Sequence, residues 1–277
     1  MADPVDPTPY TDLNAVLQEL VGAVRGVFAE ELVGVYLQGS FAVGDFDRDS
    51  DADFIVVLED ESADADVSNL RAAYGGVFDL PNPWAKHLEG SFLPQGLLRD
   101  GRRAGEPVWY FDHGRREIER SAHCNTLVVR STLRQHGICL VGPSPASLID
   151  PVPVTALRAE MRETAICWGR EILAAPDRWA NRFYQGFIVL NYSRILRDLH
   201  AGEVGSKRVG AKWMKRRDPR FAGLIDRAWA PRCNPVVSVR EPADTDEYQH
   251  TLEFLRYVMS ECERFHAARH QVPRDGP

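Results

Sequence analysis

Apolar residues recur at helical spacing from Leu13 through Val16, Leu17, Leu20, Val24 and Val27 to Phe28, just after Thr11, a hydroxyl residue suited to capping a helix. The period then changes. Residues 33–38 read as a strand, Gly39-Ser40 as a tight turn, and residues 53–58, almost wholly apolar, as a second strand. Residues 63–75 suit a helix, 84–93 a third strand that alternates, and 107–112 a fourth strand. A helix over 125–136 and a short strand over 137–141 complete this half. Residues 141–153 carry four prolines and a glycine, the strongest break in the chain, and mark a domain boundary.

Beyond the break the spacing is helical throughout. Leu157, Met161, Ala165, Trp168, Ile172 and Leu173 make one stripe. Residues 187–199 are apolar nearly all round, the pattern of a helix inside a bundle. Leu252, Leu255, Val258, Met259, Cys262 and Phe265 line a last long helix, capped at Asp244 or Thr245. The pattern predicts an α+β domain over residues 1–150, whose sheet is expected to be mixed, then an all-α helical bundle over residues 151–277.

Composition narrows the class. With 44% hydrophobic and 26% charged residues in 277, the chain has the make-up of a folded protein, not of a disordered or fibrous one. No apolar run approaches the roughly 18 residues of a membrane helix, and Met1-Ala-Asp-Pro-Val-Asp-Pro has neither the basic nor the apolar part of a secretion signal. The 5 cysteines are odd in number, widely spaced and without zinc-ligand spacing, which fits reduced thiols. A cytoplasmic protein is expected. The net charge of −7 is unevenly spread: residues 1–150 hold 24 acids against 12 bases, residues 151–277 hold 16 against 21. An acidic half attracts metal ions or cationic small molecules and repels nucleic acid.

The chemistry concentrates around Gly39. After strand 33–38 come Gly39 and Ser40, then ten residues, then Asp51-Ala52-Asp53 at the mouth of the apolar second strand. Period-two alternation puts both carboxylates on one side, about 7 Å apart, able to converge on hard divalent cations. Gly39 allows close backbone approach, and the Ser40 hydroxyl with neighbouring N–H groups can meet a phosphate. A strand, a phosphate-sized turn and a carboxylate pair point to a nucleoside triphosphate handled with Mg2+. Asp45, Asp47 and Asp49 precede the strand and read as solvated loop acids.

The motif Gly39-Ser40…Ser50-Asp51-Ala52-Asp53 resembles the signature of the polymerase-beta-like nucleotidyltransferases. The whole chain resembles the streptomycin/spectinomycin-type aminoglycoside adenylyltransferases through Leu88-Glu89, Gly142-Pro143…Asp150-Pro151-Val152-Pro153 and Ser193-Arg194…Lys207…Trp213. The resemblance implies that Asp51, Asp53 and Glu89 hold the metal, with Glu89 also the general base, since an attacking hydroxyl must lose its proton near the metals. His87 is the alternative base, although a histidine on a wet strand face is more often incidental. Gly39, Ser40, Ser50, Arg194 and Lys207 are then the nucleotide contacts. Arg194 sits in an otherwise apolar helix and must find an anion; an ion pair with Asp198 four residues on is the bland alternative to a triphosphate.

The sequence departs from the family at the acceptor. Acids that line the drug pocket at the start of the buried helix are absent from Ala180-Asn181-Arg182-Phe183-Tyr184, Asp177 being the nearest, and the tyrosine expected near position 230 is replaced by nothing clearer than Trp229. The resemblance therefore implies AMP transfer from ATP, with Mg2+, to a hydroxyl of an aminoglycoside, hence antibiotic resistance. The same chemistry on another metabolite, a protein or tRNA, and a non-catalytic nucleotide sensor, are the alternatives. The acidic catalytic half counts against nucleic acid, no membrane partner is expected, and the chain is expected to act as a monomer or weak dimer.

Overall fold

A computed structural model describes residues 6–61, 64–229 and 240–270. It divides into two compact units, Met1–Val152 and Pro153–Pro277. In the first, α1 (Thr11–Phe28) leads to β1 (Leu32–Leu37), the single turn α2 (Gly39–Ala42), β2 (Ala52–Leu58) and α3 (Asp64–Phe78). Then come β3 (Leu88–Pro94), α4 (Gln95–Arg99), β4 (Val108–Phe111), β5 (Ile118–Ser121), α5 (Leu127–His136), β6 (Ile138–Val141) and α6 (Pro145–Leu148). The six strands form one sheet in the order β5-β4-β3-β2-β1-β6. It is mixed: β2 and β3 run parallel and every other pairing is antiparallel.

Alternation along the strands makes two cores. Phe54, Val56 and Leu58 of β2 join Leu88, Phe92 and Phe111 against Leu13, Leu17, Leu20 and Val24 of α1 and Leu70 and Tyr74 of α3. Ile55 and Val57 turn to the other face, where Tyr36, Leu93, Tyr110, Leu97, Leu98 and Leu133 cover them. Parity assigns Asp53 to this second face, as the residue before Phe54. Asp53 and Glu89 are register partners on the parallel pair, so their side chains leave the sheet on the same side.

Three expectations shift. Thr11 is the first helical residue of α1 and not its cap, which is Tyr10 without a side-chain bond. The third strand begins later: Pro83–Lys86 is a 3-10 turn, with Asn82 accepting from the Trp84 N–H, because the prolines of Pro81-Asn82-Pro83 cannot feed a strand ladder. That strand is interior, so Leu88 to Leu93 are buried on both faces instead of alternating wet and dry. β5 was not anticipated; its short Ile-Glu-Arg-Ser run is an edge strand with only Ile118 buried.

The second unit holds α7 (Val154–Ala174), α8 (Arg182–Ala201), α9 (Lys207–Arg217), α10 (Ala222–Trp229) and α11 (Thr245–His270). α8 packs against each of the others, which explains its near-uniform apolarity. It starts five residues before the apolar run, where the Asn181 side chain accepts from the Tyr184 N–H at 2.9 Å. Asp244 caps α11, accepting from the Glu247 N–H at 2.9 Å. No helix among the described residues is long and apolar enough to cross a membrane.

Candidate active site

Asp53 is the second residue of β2, and its backbone is pinned: its carbonyl accepts from the Gln38 N–H at 2.9 Å. Gly39 follows at φ +59, a left-handed conformation, and a Cβ there would lie 2.7 Å from the Asp53 Cγ. Only glycine lets the turn pass so close to this carboxylate. Ser40 Oγ is buried in the same turn without a hydrogen-bond partner. The Ser50 hydroxyl is engaged locally, accepting from the Asp47 N–H at 2.9 Å and donating to Asp47 Oδ1 at 3.1 Å, so it closes the loop that delivers Asp51.

Glu89, beside Asp53 in β3, is 8% exposed and not on a wet face. Its Oε1 accepts from the Tyr110 hydroxyl at 2.8 Å and lies 3.1 Å from His123 Nε2. Tyr110 also reaches Asp112 Oδ1 at 3.1 Å. Burial, then the Glu89 charge, drive the Tyr110 phenol far above its ordinary pKa, so it remains a donor. The Glu89 contact raises the His123 imidazole, outweighing burial, with Asp53 and Asp112 adding to the effect. Cys124 is buried within reach of the same field: burial first, then Glu89, raise its thiol.

Asp51 takes a different neighbour. Its Oδ1 lies 2.6 Å from His113 Nδ1, just past the end of β4. Burial pulls the His113 imidazole down, and the Asp51 carboxylate more than offsets it, so the net shift is upward. His87 is half-buried at the end of the 3-10 turn, its ring 5.1 Å from that of His113 and roughly perpendicular to it. Its carbonyl accepts from the Ala52 N–H at 2.7 Å, tying it to the start of β2. Burial, then the neighbouring His113, lower its pKa. Among the described residues, the group whose donor atoms all fall within 4.8 Å of one another is Asp51, His87 and His113; Asp53 and Glu89 lie outside that group. His87, on the sequence a histidine of a wet strand face, instead precedes β3 and lies half-buried beside Asp51 and His113.

In the helical unit, Ser206 caps α9 through the Val209 N–H at 3.2 Å, which places Lys207 at the first helical position. The Lys207 ammonium lies 5.1 Å from the Phe187 ring centre of α8. α8 and α9 approach closely at Gly210, where a Cβ would lie 2.5 Å from the Arg194 Cα. Arg194 donates to Asn191 Oδ1 at 3.0 Å. Asp198 accepts from Arg197, at 3.1 Å, and from the Gly205 N–H, at 3.1 Å, and the Arg194 charge also acts on its carboxyl. At the start of α8, two acids arrive from the far end of the chain: Glu241 is 3.5 Å from Arg182 Nε, and Glu247 accepts from Gln185 Nε2 at 2.8 Å and pairs with Arg227.

Comparison with known proteins bears on both units. Residues 19–80 match a family model described as a nucleotidyltransferase domain, and residues 147–261 match the C-terminal domain of aminoglycoside adenylyltransferases. Residues 147–261 thus belong to the C-terminal domain family of the aminoglycoside adenylyltransferases. An aminoglycoside (3'')(9) adenylyltransferase of Shigella flexneri is 26% identical over 270 residues, covering 90% of this chain and 95% of that one. A spectinomycin 9-adenylyltransferase of Staphylococcus aureus is 24% identical over 219 residues, covering 72% and 76%. The fold also matches a crystal structure of a spectinomycin adenyltransferase from Enterococcus faecialis, solved with ATP and spectinomycin, at TM-score 0.67 and 13% identity, covering 90% of this chain and 98% of that one.

The chain is accordingly an adenylyltransferase, with the mixed sheet and helical unit that the family resemblance implied. Sequence reading missed Tyr110, His113, His123 and Cys124. Each lies on or just beyond β4 or β5, strands that bring distant residues alongside Glu89. The only signal was compositional: Tyr110, Asp112 and His113 crowd the end of a predicted strand. Position 230, where the family tyrosine was sought, and Cys233 lie outside the described residues.

Proposed function

We propose that the protein transfers AMP from ATP to a hydroxyl of a cationic small molecule, an aminoglycoside, using Mg2+. The observation that carries this reading is the register pairing of Asp53 with Glu89 beside the Gly39-Ser40 turn. It supports a hard divalent cation, since carboxylate oxygens leave one face of two adjacent strands and Asp51 stands just ahead of them. The orphaned, buried Ser40 hydroxyl fits a polar ligand at the turn. Asp51, Asp53 and Glu89 would hold Mg2+, which would supply positive charge against the charge developing at the α-phosphate. Glu89 takes the acceptor hydroxyl's proton, the freed oxygen attacks the α-phosphorus, and pyrophosphate leaves. Tyr110 fixes the carboxylate for that task through its donated hydrogen bond. Arg194 and Lys207 hold the polyphosphate.

The acceptor reading rests on the relatives, whose names specify aminoglycosides and spectinomycin, and on Glu241 and Glu247. These two acids reach the α8 start, where Ala180 to Tyr184 provide none, and a cationic ligand there would have to compete with Arg182 and Arg227 for them. The test is a panel of streptomycin, spectinomycin and other aminoglycosides with labelled ATP and Mg2+, reading adenylylated product and pyrophosphate. Pyrophosphate release with none of these acceptors, but with another hydroxyl compound, would move the acceptor to a different class.

A further inference from the structure

We propose that Asp51, His87 and His113 form a binding site for a borderline divalent transition ion, of the Zn2+ and Co2+ class, which shares Asp51 with the carboxylate set. One donor atom from each residue lies within 4.8 Å of the other two. Ligands bound to a common ion at about 2.0–2.2 Å stand at most about 4.4 Å apart, so a small side-chain rotation closes the set. The three residues come from separate stretches held together by the fold. Asp51 immediately precedes β2, His87 ends the 3-10 turn and His113 follows β4. The hydrogen bond from the Ala52 N–H to the His87 carbonyl, 2.7 Å, fixes the first two.

Two independent features point to a cation. First, Nδ1 of His87 is buried without a hydrogen-bond partner, while Nδ1 of His113 lies 2.6 Å from Asp51 Oδ1. Buried polar nitrogens are rarely left so, and a ring lone pair is satisfied by a metal as well as by a donor. Second, the ligand chemistry is mixed. Two imidazoles and one carboxylate suit zinc, cobalt or nickel, whereas Mg2+ seeks oxygen. Three protein ligands leave a coordination position open. Because Asp51 is shared, an ion seated here competes for the carboxylate that the hard-metal set also needs. The proposal rests on the geometry of these three side chains and does not depend on the adenylyl-transfer reading.

Cobalt is the probe: Co2+ titrated into metal-stripped, full-length protein without nucleotide, followed by its visible ligand-field absorption, with Zn2+ added to displace it. Saturable bands that Zn2+ removes are expected. His113→Ala and His87→Ala should each weaken Co2+ by about tenfold or more, the scale seen even for outer-shell losses. His136→Ala, at an exposed histidine ending α5, should leave the affinity unchanged. Circular dichroism melts identify variants that do not fold, and His113→Asn then replaces His113→Ala. Absence of bands in the native protein would reduce the cluster to an Asp51–His113 ion pair and overturn the proposal. Undiminished affinity in both folded histidine variants would do the same. Neither result involves turnover, so each is distinguishable from failure of adenylyl transfer.

Discussion

Gly39 couples backbone to chemistry at a single residue: its φ of +59 is costly for any side chain, and a Cβ would meet the Asp53 carboxylate. Gly39→Ala should cost about 1–2 kcal/mol of stability from the left-handed backbone alone. It should also displace Asp53, so that transfer falls far more than the unfolding midpoint does, read by steady-state kinetics beside a denaturant titration. Asp53→Asn, at nearly constant volume, should keep the fold and abolish transfer. Glu89→Gln should retain nucleotide binding in calorimetry yet lose turnover; near-normal turnover would pass the base role to another group. The same substitution has a second readout. His123 titrates above its ordinary value because Glu89 contacts it, so its folded-state pKa lies above the unfolded one. The stability from this pair is complete below about pH 6.5, the unfolded value, and is lost as pH rises through the raised folded pKa. In Glu89→Gln the His123 resonance, followed by NMR, should titrate lower.

At the scale of elements, α8 and α9 meet where Gly210 lies against the Arg194 backbone. Gly210→Ala should force the helices apart at a cost of about 1–3 kcal/mol. Because Lys207 begins α9 and Arg194 belongs to α8, the same change should weaken ATP binding in calorimetry. Retained ATP affinity in a destabilised protein would separate the two residues' roles from the helix contact. In the other unit, Arg130 of α5 is buried, 1% exposed, and donates to the carbonyls of Leu97 and Leu98 at 2.9 and 3.1 Å. It thereby serves backbone acceptors within α4, beneath the second core face. Arg130→Met should cost about 2–3 kcal/mol in chemical denaturation, since the carbonyls lose buried donors that methionine cannot replace. These elements were legible only in part. The helices of both units follow from periodicity, but the alternation of β3 does not mark a wet face, because its polar Glu89 and Ser91 are buried too.

Over the whole molecule, the apolar residues of Met1–Val152 and of Pro153–Pro277 close into separate cores. Trp168, Tyr192, Phe254 and Leu255 belong to the helical core alone. Residues 153–277 expressed separately should therefore be helical and melt cooperatively by circular dichroism. A gradual, non-cooperative melt would mean that this core needs the first unit. The charge asymmetry runs along the same division, with the acids concentrated in the half that carries the carboxylates.

The sequence by itself determined the α+β unit and the helical unit, the Gly39-Ser40 turn, and the strand that presents Asp53. Local spacing encodes these, since a period of two or 3.6 and a glycine next to an acid are properties of short segments. Tertiary structure decided which residues surround the carboxylates. Parallel pairing of β2 with β3 sets Glu89 beside Asp53, antiparallel β4 brings Tyr110 to Glu89, and the loop after β4 returns His113 to Asp51. Glu241 and Glu247 likewise reach the start of α8 from some sixty residues away. Contacts so distant in sequence depend on strand order and helix packing, and no local pattern of residues records either.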